Sequence, residues 1–288
     1  MHCDGAKYEV QSAKWEVQSG KCDGATCDGA ACGGLSDNRS VHARFHAPEA
    51  ERVGDVVDLP QEEAQHLVRV LRLTAGAAVR VFNGRGGEFD AVVDTATKAG
   101  VRVRVEGRRD AQAEAHVNLT LAQAVLKGDK MDEVVRDAVM MGVFAVRPIV
   151  TTRSEVALAS LRRSHRQERW QRIAVSSAKQ CGRAVVPVVH EPCTFEGALG
   201  QLGGTGSPHC GLMLVEPAAA ANVVSVGEVG DKPAGATVLI GPEGGWTPEE
   251  ITRAAGMCRL VTLGSRTLRA DAMALVAVTA LLTHWREL

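Results

Sequence analysis

Three glycines and a proline follow an apolar stretch late in the chain, in the segment Leu239–Gly245 (Leu-Ile-Gly-Pro-Glu-Gly-Gly). Gly241, Gly244 and Gly245 let the backbone approach a ligand closely and adopt dihedral angles that are closed to other residues. The segment lacks the Gly-Lys-Ser/Thr of a Walker loop and the Gly-x-Gly-x-x-Gly of dinucleotide-binding folds. It predicts either a ligand loop of another class or an ordinary tight turn between a strand and a helix.

Two other turns carry charged side chains that could act on a ligand. Arg269 and Asp271 precede a terminal apolar helix, where an arginine and an acid are costly unless they are paired or used. Lys127 and Lys130 stand at the start of another helix, where point charges suit phosphate. Two plainer interpretations stay open. Asp271 caps its helix and pairs with Arg269, and the lysines are ordinary surface residues.

The elements around these turns show two different patterns. From about Val41 to Arg109, short strands joined by Gly-rich turns predict a small β-barrel, with strands at 55–59, 78–82, 87–93 and 101–105 and a helix at 62–71. From Val117 onward, strands alternate with helices, which is typical of a parallel sheet covered on both faces. The predicted strands are 117–125, 143–150, 211–216, 237–241 and 259–263, and the predicted helices are 129–141, about 160–180, one capped by Thr247 and a buried one over 271–285. Ligands in such sheets bind beyond the carboxyl ends of the strands.

Residues 1–40 differ from the rest of the chain. Two related heptapeptides stand in tandem over 8–21, and Cys-Asp-Gly-Ala occurs three times. Short polar repeats cannot bury enough apolar surface to offset the chain entropy lost on ordering, so we expect a disordered extension. A metal site formed by Cys22, Cys27 and Cys32 is the alternative, but their spacing lacks the close ligand pairs of zinc sites.

Composition limits the class of protein. No apolar run is long enough to span a membrane and no secretory signal is visible, so we expect a cytoplasmic protein with reduced thiols. The net charge of −1 argues against a protein that coats nucleic acid indiscriminately. The charge is nevertheless uneven, because between Leu161 and His190 a single acid, Glu168, stands among seven bases.

Seven segments in order carry a resemblance to a known family: Arg44-Phe45, His66–Arg72, Lys127–Met131, Arg169–Ala174, Gln180–Arg183, Leu239–Gly245 and Leu263–Ala274. From about Ala43 to the C-terminus, the chain resembles the ribosomal RNA uridine-N3 methyltransferases (RsmE-like) of the SPOUT superfamily. The Gly-Pro-Glu-Gly-Gly loop with Leu-Gly-x-Arg-x-Leu-Arg downstream is the most specific part of this resemblance.

The resemblance implies a fold, a reaction and partners. The fold would be a PUA-like β-barrel that holds RNA (41–112), followed by a SPOUT α/β domain with a parallel sheet and a C-terminal trefoil knot (116–288). The reaction would be S-adenosylmethionine-dependent methylation of uridine N3 in 16S rRNA of the small ribosomal subunit, at the position conventionally called m3U1498. The protein would act as a homodimer in the cytoplasm, with no membrane and no metal.

The resemblance also assigns residues. The cofactor would be bound by Leu214, Val215, Glu216, Leu239, Ile240, Gly241, Pro242, Glu243, Gly244, Gly245, Leu263, Gly264 and Leu268. Arg269 would stabilise negative charge on a uracil oxygen, while Asp271 or Glu243 orients that arginine or accepts the N3 proton. RNA would be bound by Arg69, Arg72, Lys127, Lys130, Arg169, Arg172 and Arg183.

Three departures from the family pattern leave alternatives open. Lys179 stands where the family usually has Glu, Val139–Gly142 replaces Thr-Glu-Leu-Gly, and Asp271 replaces a Glu. A catalytically silent RNA-binding relative, or a SPOUT enzyme with another RNA target, are therefore the competing hypotheses. A metal-dependent enzyme has little support, since no histidine pair with an acid shows helical ligand spacing.

Overall fold

A computed structural model of the chain describes residues 43–97, 99–202, 209–220 and 222–288. The expected extension over residues 1–40, with its cysteine repeats, lies outside the described residues. The described residues form two β-sheets, one before residue 110 and one after residue 117.

The first sheet is mixed and has five strands. They are β1 (Arg44–His46), β2 (Val56–Asp58), β3 (Ala78–Phe82), β4 (Glu88–Ala96) and β5 (Val101–Arg109). Their order is β1-β3-β4-β5-β2, and only β1 and β3 run parallel. In β5, buried Val101, Val103 and Val105 alternate with exposed residues, so one face of the strand covers a core that includes Phe45 and Phe89.

The helix predicted over 62–71 is two different elements. An α-helix, α1 (Gln61–Gln65), is followed by a π-helical turn, His66–Val70, in which the Leu71 amide donates to the His66 carbonyl at 3.1 Å. The wider turn keeps Leu67 buried and turns Val70 to solvent. Apolar periodicity alone does not separate an α turn from a π turn, which explains the difference.

The second sheet is parallel throughout. Its strands are β6 (Asn118–Ala124), β7 (Ala145–Val150), β8 (Val188–Val189), β9 (Cys193–Thr194), β10 (His209–Leu214), β11 (Val223–Ser225), β12 (Gly235–Ile240) and β13 (Arg259–Thr262). The order is β11-β13-β10-β12-β6-β7-β8, and β9 also pairs with β7. Every residue of β12 is buried, as expected for a central strand covered on both faces.

Helices cover both faces of this sheet. They are α2 (Lys130–Met141), α3 (Leu158–Arg163), α4 (Arg166–Cys181), α5 (Phe195–Leu199), α6 (Pro248–Ala255) and α7 (Ala270–His284), with a 3-10 turn at Val226–Glu228. One core contains side chains of α2, α4 and α7, and the other contains side chains of α5 and α6.

Two helix predictions need correction. The helix expected over 160–180 is interrupted, because Ser164 is extended (φ −90°, ψ 155°) and its hydroxyl donates to the Leu161 carbonyl at 2.7 Å. The terminal helix α7 is not buried all round: Leu275 is 37% exposed and Val276 is 41% exposed. An apolar composition shows that a helix can be buried, but which face is covered depends on the packing of the whole chain.

The first sheet contacts the helices that cover the second sheet, through the C-terminal end of α4. The Arg44 guanidinium donates to the carbonyls of Ala178, Lys179 and Arg183 at 3.1, 3.2 and 2.9 Å. These carbonyls belong to the last turn of α4 and the residues after it, where backbone donors become scarce. The Ala178 carbonyl also accepts from the Gly182 amide at 3.1 Å, and Arg44 supplies a further donor to all three carbonyls. Beside it, the Lys179 ammonium donates to Glu63 at 2.7 Å, with both side chains largely buried.

Candidate active site

A cavity of about 400 Å³ opens beyond the carboxyl ends of β10, β12 and β13. Three loops, one after each strand, form most of it. Its lining residues are Lys130, Arg153, Leu214, Val215, Glu216, Ala219, Ile240, Gly241, Pro242, Glu243, Gly244, Gly245, Trp246, Ile251, Thr267, Leu268, Arg269, Ala270, Asp271 and Met273. Both the volume and the mixture of apolar walls with a few polar groups are typical of small-molecule sites.

Trp246 fixes the glycine loop to the neighbouring strand. Its indole Nε1 donates to the Leu214 carbonyl at 2.8 Å, and the ring is 8% exposed. The ring lies against Gly241, where a Cβ atom would come within 3.1 Å of it. Gly245 has a φ of +69°, which favours glycine. The glycines of this loop are therefore required by packing and by backbone geometry.

Arg153 holds the same loop from the other side. Its Nη1 donates to the carbonyls of Gly244 and Trp246 at 2.8 and 3.1 Å. A Cβ atom on Gly244 would lie 3.3 Å from the Arg153 Cβ, so the close approach needs glycine. Two charge-assisted bonds to carbonyls make the loop a fixed surface toward the cavity.

The helix after the loop begins as predicted. Thr247 is the N-cap of α6, its hydroxyl accepts from the Glu250 amide, and the Glu250 carboxylate accepts from the Thr247 amide at 2.9 Å. This capping box, with Pro248 at the first position, explains the sharp turn into α6. Glu250 also accepts from the Thr152 amide at 2.8 Å, which ties the segment carrying Arg153 to the site.

Arg269 and Asp271 form an ion pair at the cavity wall. The Arg269 Nη2 lies 2.9 Å from the Asp271 Oδ2, and Asp271 Oδ1 accepts from the Ala272 amide at 3.0 Å. Asp271 lies in the first turn of α7 while Arg269 occupies the N-cap position, so Asp271 is not the cap. Desolvation alone would raise the pKa of Asp271, but the Ala272 amide and Arg269 together hold it below its usual value.

Glu243 is held by the start of α2. Its Oε1 accepts from the Lys130 ammonium at 2.9 Å and from the Lys127 amide at 3.3 Å. Desolvation pushes the pKa of Glu243 up, but these bonds, with Lys130 the stronger, leave it lowered. The two lysines differ in position: Lys130 lines the cavity, whereas the Lys127 ammonium pairs with Glu155 outside it.

Comparison with known proteins places this geometry in a family. A family model described as an RNA methyltransferase domain matches residues 113–282, and one described as an RNA methyltransferase PUA domain matches residues 59–106. The chain belongs to this RNA methyltransferase family. The ribosomal RNA small subunit methyltransferase E of Synechocystis sp. is 33% identical over 242 residues, covering 82% of this chain and 76% of that protein.

Solved structures of similar proteins agree with this placement. The ribosomal RNA small subunit methyltransferase E of Neisseria gonorrhoeae, solved with S-adenosylmethionine bound, is 31% identical with a TM-score of 0.76, covering 85% of this chain and 98% of that one. A putative methyltransferase of Legionella pneumophila, solved with the same cofactor, is 28% identical with a TM-score of 0.74, covering 84% and 97%. The predicted fold class, a SPOUT-type parallel sheet preceded by a PUA-like β domain, is confirmed.

Most of the residues assigned to the cofactor lie at the cavity. Leu239, Leu263 and Gly264 are the exceptions, because none of them is among the lining residues. Leu239 is fully buried in the core between the sheet and helices α5 and α6. Gly264 lies in the turn after β13 and has a φ of +121°. The sequence missed these lining residues: Arg153, Ala219, Trp246, Ile251, Ala270 and Met273.

The arginines assigned to RNA fall into three groups. Arg69 and Arg72 are exposed. Arg169 pairs with Asp129 at 3.2 Å and also with Asp132, and Arg172 lies 3.5 Å from Glu62. These four remain at the surface. The third group is Arg183 alone.

Arg183 is a correction to the predicted RNA surface. Its side chain is buried, its Nε donates to Glu114 at 2.9 Å and its Nη1 donates to the Val139 carbonyl at 2.8 Å. A guanidinium enclosed in this way cannot reach a phosphate. Its role is to join the segment after α4 to α2 and to the segment before β6.

The departures from the family pattern lie mostly away from the cavity. Lys179 contacts Glu63 of the first sheet region, and the Met141 sulfur accepts from Thr279 of α7 at 3.5 Å. Asp271, the shorter acid, still reaches Arg269. The catalytically silent alternative drew its support from Lys179 and Met140-Met141, and neither position lines the cavity.

The part of the chain that the structure describes offers neither a metal site nor a membrane-spanning helix. Within it, no cluster of three His, Cys, Asp or Glu side chains is arranged to hold a metal ion. Over the same residues, no helix is both long enough and apolar enough to cross a membrane. Cys181, Cys193, Cys210 and Cys258 are free thiols, and burial raises the pKa of Cys258 to about 12.

Proposed function

We propose that this protein transfers a methyl group from S-adenosylmethionine to N3 of a uridine in 16S rRNA of the small ribosomal subunit, the nucleotide named above. The observation that carries the proposal is the cavity, where the glycine loop, the Arg269–Asp271 pair and the Lys130–Glu243 pair meet. The names of the relatives from Synechocystis and Neisseria support the ribosomal target.

The residues of the cavity fit S-adenosylmethionine. The loop at 241–245 presents its backbone because larger side chains would strike Trp246 or Arg153. Ile240, Leu268 and Met273 supply apolar walls, and backbone groups of the loops supply polar contacts. When bound, the cofactor supplies a methyl group activated by its positively charged sulfur. The two relatives solved with this cofactor support the assignment.

Arg269 would act on the uracil. Methylation forms the N3–carbon bond, breaks the carbon–sulfur bond of the methyl donor and releases the N3 proton. Negative charge grows on the uracil oxygens as that proton leaves, and a guanidinium held by Asp271 stabilises it. The target base must leave its stack to reach such a pocket.

Asp271 and Glu243 remain the two candidates for accepting the proton. The pKa of each is lowered, so both are ionised at neutral pH but are weaker bases than an unperturbed carboxylate. Charge stabilisation by Arg269 therefore contributes more than base strength. Asp271 orients Arg269, and Glu243 orients Lys130.

Domain limits, assembly and location follow from the same proposal. We place a PUA-like RNA-binding domain at 41–112 and the methyltransferase domain at 116–288. The packing supports these limits, because the core around Phe45 lies within the first range and the other two cores lie in the second, with Phe82 of β3 packing across the boundary. A trefoil knot would thread the loops after β10, β12 and β13. A homodimer would cover the exposed apolar face of α7, and the protein would act in the cytoplasm, where ribosomal subunits are assembled.

A methyl-transfer assay tests the function. The purified protein is incubated with labelled S-adenosylmethionine and small ribosomal subunits from a strain that lacks the activity, and the RNA nucleosides are then separated. We expect labelled 3-methyluridine. Cofactor binding without a methylated nucleoside would indicate another RNA target, and the absence of both would favour a silent RNA-binding protein.

A further inference from the structure

The turn after α1 exposes two large aliphatic side chains next to each other. Val70 is 69% exposed and Leu71 is 40% exposed. They end the π-helical turn, and the next residue, Arg72, has a φ of 54°, a left-handed conformation that is unfavourable for a non-glycine residue. π turns and left-handed residues are found often at functional sites. We name residues 69–72 (Arg-Val-Leu-Arg) the tip.

The tip also carries positive charge that is not compensated. Within the residues that the structure describes, neither Arg69 nor Arg72 makes a hydrogen bond or an ion pair. The acids that precede the tip, Glu62 and Glu63, are paired with Arg172 and Lys179 of α4. An anionic partner therefore meets the tip arginines without competition from these carboxylates.

The tip is fixed on the same framework as the cavity. The Lys179–Glu63 pair and Arg44 fasten the region around the tip to α4. At its other end, α4 contacts the start of α2, where the Trp170 indole donates to Asp132 at 3.1 Å. Lys130, in the same turn of α2, lines the cavity. A polymer held at the tip is thereby placed in a defined relation to the cavity.

We propose that the tip binds an unstacked segment of the RNA substrate through two chemistries at once. Arg69 and Arg72 contact phosphates, and Val70 and Leu71 pack against the face of a base that has left its stack. Phosphate binding alone would not need two exposed aliphatic side chains, and an apolar protein partner would not need two unpaired arginines. The inference rests on the proposed RNA substrate and adds how that substrate is held.

Salt dependence separates the two chemistries. The dissociation constant for a protein-free 16S rRNA fragment containing the target is measured by fluorescence anisotropy over a series of salt concentrations. Replacing one phosphate-binding arginine should reduce the slope of log K against log salt by about 0.7–0.9. We choose Arg69→Ala and Arg72→Asn, because asparagine tolerates the left-handed conformation.

The aliphatic variants should behave differently. Val70→Ser and Leu71→Ser should each raise the dissociation constant about fivefold, because an apolar contact with the base is lost, with no change in the salt slope. The matched control is Val53→Ser, which removes a 55% exposed valine of the same region and should leave the dissociation constant unchanged. S-adenosylmethionine affinity should be unchanged in every variant.

Three results would overturn the proposal. Val70→Ser and Leu71→Ser could leave RNA affinity unchanged, or they could lower affinity for intact subunits only, which would mean that the tip contacts a ribosomal protein. They could instead dissociate a dimer in sedimentation velocity, which would place the tip against a second copy. The wild-type methyl-transfer assay is a separate readout: RNA binding without transfer overturns the proposed reaction and leaves the tip measurement valid.

Discussion

The cavity and the tip both present basic side chains, but they present them in opposite ways. In the cavity, Lys130, Arg153 and Arg269 are each held by a named acceptor, a carboxylate or a pair of loop carbonyls. At the tip, Arg69 and Arg72 have no such acceptor among the described residues.

The difference fits the two tasks proposed for these sites. A group that stabilises charge during a reaction must already be in position, because reorganising it would add to the barrier. A side chain that binds the phosphates of a polymer benefits from conformational freedom, because the phosphates do not all lie at one fixed position. We therefore expect substitutions in the cavity to lower turnover and substitutions at the tip to lower affinity.

The largest effect is expected at Arg269. Arg269→Ala removes the guanidinium proposed to stabilise the uracil oxygen and should lower kcat about 10²–10³-fold, as for other lost charge-stabilising donors. S-adenosylmethionine affinity, measured by calorimetry, should change little. The comparison would fail if Arg269→Ala raised KM for RNA and left kcat unchanged, because Arg269 would then behave like a tip arginine.

Arg253→Ala is the matched control for Arg269. Arg253 forms an ion pair with Glu196 at 2.7 Å, similar in kind to the Arg269–Asp271 pair, but it lies outside the cavity lining. Both partners are more than half exposed, so the pair contributes little to stability. We expect normal kcat and KM from this variant.

The buried Arg183 and the exposed Arg69 of the tip should differ in how much they contribute to stability. Arg183→Ala leaves the Glu114 carboxylate and the Val139 carbonyl without their donor and should lower the free energy of unfolding by about 2–3 kcal/mol. Arg69→Ala should leave it unchanged, because an exposed side chain without partners is lost. Urea denaturation measures both, and equal stability of the two variants would show that Arg183 is not structural.

The sequence predicted the loops that line the cavity better than it predicted the distant side chains that hold those loops in place. The glycine loop, the capping box at Thr247 and the Arg269–Asp271 pair are local in sequence, so their spacing carried the information. Arg153 reaches Gly244 across 91 positions of the chain, and no local pattern marks it. Contacts of this kind depend on which loops the sheet brings together.

The charge pattern correctly identified a basic stretch, but it did not show which of its side chains lie at the surface. The basic stretch over 162–183 is real, but the fold divides it: Arg169 and Arg172 lie at the surface, and Arg183 is enclosed. A run of basic residues does not show which part of it will be covered by a neighbouring element of the fold. For the same reason the exposed face of α7 was not predicted from its apolar composition.

Gly241→Ala, which has the smallest expected effect, tests whether the cavity is preformed. In Gly241→Ala, the new Cβ would meet the Trp246 ring at 3.1 Å, so the ring must move by a few tenths of an ångström and strain its bond to Leu214. A cost of about 1.4 kcal/mol, within the usual range for overpacking, would raise the dissociation constant for S-adenosylmethionine about tenfold.

Gly227→Ala provides the reference for that change. Its Cβ would lie 3.8 Å from the Ser225 hydroxyl, an ordinary contact, and Gly227 does not line the cavity. Calorimetry should show wild-type cofactor affinity for Gly227→Ala and weakened affinity for Gly241→Ala, with unchanged RNA affinity in both. If Gly241→Ala bound the cofactor as tightly as the wild type, the loop would be adaptable rather than fixed, and the contrast between a preformed cavity and a free tip would not hold.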